Sequence, residues 1–166
     1  EDELLLQILG QQDGKPFKSV NDDDALPQTE EEKSAADKQD EECKELLDFV
    51  KETLGDKLHA VRISRKLVSQ PVCMTTEGPI TLEMEKYFHQ QKLLSGMDVS
   101  QGMTAQRVLE LNPASTAFAA LQRAFENDRD KAARYAEVLY CQALLIAGLP
   151  LEDPAAYAEL VCSLMI

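Results

Sequence analysis

The sequence predicts an α+β fold: a small, mostly antiparallel three-stranded sheet with helices, ending in two helices that pair with those of a second copy as a four-helix bundle. Three observations carry this prediction. Short runs rich in β-branched and alternating apolar residues stand at 58–64, 72–76 and 107–111. Helical periodicity fills most of the remainder after residue 41. The stretch from Val138 to Ile166 is too apolar to be covered by so short a chain.

The elements follow in chain order. Leu4-Leu5-Leu6-Gln7-Ile8-Leu9 ends at Gly10, and Gly14 to Val20 reads as a short turn and strand. Twenty residues cannot make an independent core, so 1–20 is expected to be the tail of a preceding domain. The chain starts Glu1-Asp2-Glu3 without Met, as expected of a processed or excised piece. Between Asp22 and Asp48 stand 12 acidic residues and three lysines, a net of −9. Asn21-Asp22-Asp23-Asp24 and Glu30-Glu31-Glu32 lack apolar periodicity, so 21–40 is expected to be a solvated acidic linker. It lacks the alternating ligand spacing and the Gly of a calcium loop.

Residues 41–166 form the main domain. Cys43, Leu46, Leu47, Phe49, Val50 and Leu54 recur at helical spacing before Gly55. The strand candidates 58–64 and 72–76 suggest an antiparallel meander, with 107–111 as the third strand. Thr81 can cap a helix on which Met84, Tyr87, Phe88 and Leu94 recur, preceded by Ile80 and Leu82. Ser95 to Gly102 then reads as a loop. Asn112-Pro113 suggests a helix to about Glu126, Asp130 another to Ala147, and Asp153-Pro154 a last helix reaching Ile166.

From Val138 to Ile166 only Glu152, Asp153 and Glu159 are charged, and 21 of the 29 residues are apolar. Left open, such a surplus would form a large apolar patch, which monomers rarely expose. Self-association closes it, and Tyr135, Val138, Leu139, Leu144, Leu145, Tyr157, Leu160, Val161, Leu164 and Met165 are the expected dimer contacts. The alternative is a pair of fully internal core helices. The helix with Met84 and Phe88 is open in the same way. Met and aromatic side chains on one face suit adaptable contact with a partner, or the face packs on its own sheet.

Several function classes find no support. A net charge of −13 argues against nucleic-acid or anionic-membrane partners. Cys43, Cys73, Cys141 and Cys162 form no CxxC pair, and His59 and His89 stand at no metal-ligand spacing from them; the expectation is thiols in a reducing compartment and no metal. No phosphate loop, HExxH or GxSxG occurs, so no catalytic residue is expected. A hydrolase would need perturbed groups converging around His59 or His89.

Taken in order, a set of phrases resembles the C-terminal end of the 90-kDa heat-shock chaperone family, bacterial type. They are Asp13-Gly14-Lys15-Pro16-Phe17-Lys18-Ser19-Val20, Ile63-Ser64-Arg65-Lys66-Leu67-Val68-Ser69-Gln70-Pro71, Leu109-Glu110-Leu111-Asn112-Pro113, Gln142-Ala143-Leu144-Leu145 and Leu151-Glu152-Asp153-Pro154. The resemblance implies that 1–20 finish a middle domain and that the rest, beyond the linker, is a C-terminal dimerisation domain of a cytoplasmic homodimer. It implies that Ile80, Leu82, Met84, Tyr87, Phe88 and Leu94 contact partly unfolded client proteins. It also implies that ATP and Mg belong to an N-terminal domain absent from this chain, so no cofactor is expected here. The family often continues Asn-Pro with Asp-His, whereas Asn112-Pro113 is followed by Ala114-Ser115-Thr116. The acidic pentapeptide tail of cytosolic eukaryotic members is also absent, and docking of tail-reading co-chaperones is not expected.

Overall fold

The computed structural model describes residues 11–12, 15–16, 41, 43–96 and 105–165. The acidic linker, most of the expected middle-domain tail, nearly all of the 95–102 loop and Ile166 lie outside the described residues. The chain divides into two compact units, Glu1–Ala35 and Ala36–Ile166. In the first, β1 (Gln11–Gln12) pairs antiparallel with β2 (Lys15–Pro16), Gln11 opposite Pro16.

The second unit opens with α1 (Lys44–Leu54), which buries Leu46, Leu47, Val50 and Leu54 along one stripe. Gly55 ends it at φ +55°, and its carbonyl accepts from Lys51 Nζ at 2.7 Å and from Leu58 N at 3.5 Å.

The sheet contains β3 (Ala60–Ile63), β4 (Val72–Glu77) and β5 (Gln106–Leu111). All three match predicted strands, but the meander is corrected. The order is β3-β5-β4: β5 lies in the middle, antiparallel to β4 and parallel to β3, so the sheet is mixed. Burial explains the order. Val108, Leu109 and Leu111 of β5 are all buried, and a strand covered on both faces stabilises best with a neighbour on each side. Ile63 and Val72 both stand opposite Leu111, so segment 64–71 must cross the end of β5.

Asn112 holds that crossing. Its side-chain amide donates to the carbonyls of Gln70 (2.9 Å) and Val68 (3.4 Å), and its Oδ1 accepts from Ala114 N at 3.0 Å. Its backbone N–H donates to the Pro71 carbonyl at 2.9 Å. With its side chain so engaged and only 2% exposed, Asn112 cannot act as the helix cap expected of it. Helix α3 (Thr116–Asn127) starts later, on Ser115, whose Oγ accepts from Phe118 N at 3.1 Å.

Helix α4 (Arg129–Ile146) is capped by Asp128 rather than starting at Asp130. It buries Ala132, Ala136, Leu139, Tyr140, Ala143 and Leu144 against α1, α3 and β4. Gly148 turns the chain at φ +71°. Helix α5 (Pro154–Ser163) starts as predicted: Asp153 Oδ1 accepts from Ala155 N (3.0 Å) and Ala156 N (2.9 Å), and Pro154 opens the first turn. It ends at Ser163, short of the expected Ile166. The core of the unit is one cluster made by α1, the inner sheet face, α3 and α4. Helix α2 (Leu82–Ser95) lies outside it apart from Leu82.

Candidate functional site

Two apolar surfaces stand out. The first belongs to the hairpin of α4 and α5. Helix α5 buries none of its residues, although Tyr157, Leu160, Val161 and Leu164 recur along it at helical spacing and are each only partly covered. On α4, Leu145 is 51% exposed and Ile146 stands beside it, also exposed. Val138 and Tyr135 are partly covered, and Met165 is open. Leu139 and Leu144 differ from the other expected contacts. They are buried in the core of their own chain and have no surface left for a partner. The periodicity could not separate them, because α4 is apolar around much of its circumference. Ile146, as exposed as Leu145, belongs with the open set instead.

A groove of about 470 Å³ runs between the two helices. Leu151, Tyr157 and Leu160 give it an apolar wall, and Glu137, Glu152 and Glu159 an acidic rim.

The second surface is α2. Thr81 Oγ1 accepts from Met84 N at 3.3 Å, the predicted cap, and Gly96 closes the helix at φ +69°. Its expected site residues do not share one face. At about 100° per residue, Met84, Tyr87, Phe88 and Leu94 fall within one arc, while Leu82 lies on the opposite side, packed on the core. Leu94 is 84% exposed, Tyr87 54%, and Met84, Phe88 and Ile80 are partly covered. Leu93 is also exposed, on the Leu82 side, and was not among the expected contacts. Tyr87 and Phe88 meet edge to face at 6.2 Å, and Gln91 Nε2 donates to the Tyr87 hydroxyl at 3.3 Å.

The titratable groups assemble elsewhere. On the outer sheet face, Glu110 accepts from Ser64 Oγ (2.8 Å), Thr75 Oγ1 (3.2 Å) and Cys73 Sγ (3.7 Å). Burial, the Glu110 charge and this hydrogen bond push the Cys73 thiol up to about 12. Burial also raises Cys141, with Glu137 and Glu152 adding to it against Lys57. Neither thiol is a thiolate at neutral pH, the reverse of what a nucleophile requires. His59 pairs with Glu77 at 3.3 Å on the sheet surface, and His89 is exposed on α2. Among the described residues, no disulfide joins the four cysteines and no group of His, Cys, Asp or Glu is arranged to hold a metal ion.

This gives a direct expectation. Cys162, exposed on α5, will react with a maleimide or disulfide reagent at pH 8 at least about 10-fold faster than Cys73. The sign for stability follows. Because the folded thiol at Cys73 titrates above the unfolded one, its contribution is complete below about pH 9 and is lost as pH rises toward 12. Equal labelling rates, read by mass spectrometry, would contradict the burial of Cys73.

Fold and surfaces define a class: an α+β protein whose prominent features are open apolar helices rather than a converging polar pocket. The family described as Hsp90 protein matches residues 1–166, and the chain belongs to that family. It is similar to the chaperone protein HtpG of Bacillus subtilis strain 168, 39% identical over 165 residues, which is 99% of this chain and 25% of that protein. It is 42% identical over 164 residues to the chaperone protein HtpG of Clostridium perfringens strain ATCC 13124, again covering 99% of this chain and 25% of that protein. The chain thus spans about a quarter of the length of these curated relatives. Among the described residues, no helix is long and apolar enough to cross a membrane.

Proposed function

We propose that residues 41–166 are the C-terminal dimerisation domain of a cytoplasmic Hsp90-type chaperone, with 21–40 a linker and 1–20 the end of a middle domain. Two copies join through α4 and α5, and α2 contributes a contact surface for partly unfolded clients. The observation that carries this reading is the uncovered apolar surface of the hairpin: α5 has no buried residue although most of its side chains are apolar. Dimerisation removes that surface from water, and each fully buried Leu or Val adds roughly 1.5–3 kcal/mol. The segment itself needs no cofactor in this reading. ATP and Mg would act on a domain outside the chain.

On α2, Met84, Tyr87 and Phe88 offer polarizable, adaptable contacts of the kind that accept many sequences. A dimer sets two such surfaces side by side, which raises the effective concentration for a client that touches both. Substituting Met84 and Phe88 together by Ser is expected to weaken capture of an aggregating client at least about 5-fold, because both lost contacts are apolar. The dimer should stay intact. Light scattering of the client and sedimentation of the variant read the two effects separately. Unchanged capture would leave only a structural oligomerisation module, a reading favoured by the docking of Leu82 into the core.

A further inference from the structure

Helix α2 touches the rest of its unit at few points. Leu82 packs on the core, and the Lys86 side chain passes the turn after α4, where a Cβ on Gly148 would meet it at 3.7 Å. A further tie is polar. The Arg107 guanidinium, on β5, grips the Glu85 carboxylate of α2 with two donors, Nη2 to Oε1 and Nε to Oε2 at 3.3 Å. Its third donor, Nη1, reaches the hydroxyl of Tyr140 on α4 at 3.0 Å. Glu85 and Arg107 are each about four-fifths covered, so the fork is shielded from water and from salt. Tyr140 in turn lines the groove between α4 and α5.

We infer that Arg107 is a positioning residue, which sets the rotation of α2 about its own axis and ties that setting to the α4–α5 groove through Tyr140. The helix geometry supplies the reason. Leu82 lies about 180° from the centre of the Met84, Tyr87, Phe88 and Leu94 arc, and Glu85 about 120° from it. One anchor alone would be a pivot. Two anchors on the inner side fix which arc faces outward. Gly78 and Gly96 bracket the helix, both at positive φ. The link is reciprocal: whatever shifts Tyr140 within the groove alters the grip on Glu85, and the reverse. That α2 serves clients rests on the reading proposed above; the latch itself does not depend on it.

The test is amide hydrogen exchange on the full chain. Glu85→Ala, which keeps a good helix former, should accelerate exchange across 83–94 at least about 10-fold, with β5 and α4 unchanged. Arg107→Met should do the same. Tyr140→Phe should produce a smaller acceleration in α2, because the fork loses its second support, and Glu85→Gln should recover part of the protection. Unchanged exchange in Glu85→Ala overturns the latch. So does acceleration spread evenly over β5 and α4, which marks a general loss of stability. If α2 loosens in Glu85→Ala while Met84→Ser/Phe88→Ser leaves client capture intact, the latch stands and the client role of α2 falls.

Discussion

Aspartate at both Leu145 and Ile146 is expected to leave the chain folded and to make it monomeric. Both side chains are already about half exposed in the single chain, so the fold loses little. In the proposed dimer each would be covered. Replacing them forfeits roughly 1.5–3 kcal/mol apiece and sets carboxylates in an apolar interface, once for each copy. At 1.4 kcal/mol per factor of ten, the dissociation constant should rise at least about 1000-fold. Sedimentation equilibrium over a dilution series measures this, with circular dichroism to show that the helices persist. The same association constant as the parent would remove this face from the interface. Leu144→Ala is the contrasting change: it strikes the chain's own core and should cost about 2–5 kcal/mol of folding stability.

The second large effect is expected at Asn112. Asn112→Ala removes three side-chain hydrogen bonds at once, and leaves the carbonyls of Val68 and Gln70 and the Ala114 N–H without them. Each hydrogen bond lost is worth about 0.5–1.5 kcal/mol net, so a loss of roughly 3 kcal/mol is expected for the three together. The denaturation midpoint should fall while the slope stays the same. A loss below about 1 kcal/mol would show that the 64–71 crossing does not depend on this side chain.

Much of the fold was legible because local chemistry and global packing agree. The stripe of α1, the Thr81 cap and the Asp153-Pro154 start each follow from side chains acting within one turn. What could not be read was decided over distance. Nothing local says that β5 inserts between β3 and β4, since the choice depends on which strand is most fully covered. Asn112 has the makings of a cap, yet carbonyls some 40 residues earlier in the chain claim its amide. On α2 the apolar residues were visible, but their division between an inner Leu82 and an outer arc required the position of the sheet. Arg107 gave no signal at all: its role comes from Glu85 and Tyr140, which only the folded chain brings to it.

The insertion of the latest strand between the two earlier ones has a consequence for how the protein is born. As the polypeptide leaves the ribosome, β3 and β4 emerge first and are not native partners of each other. Both must wait until Gln106–Leu111 has been translated, and then the whole sheet zips together around it. Until then the native edges of both strands stay unpaired and open to water, so the sheet forms only once its last strand is present.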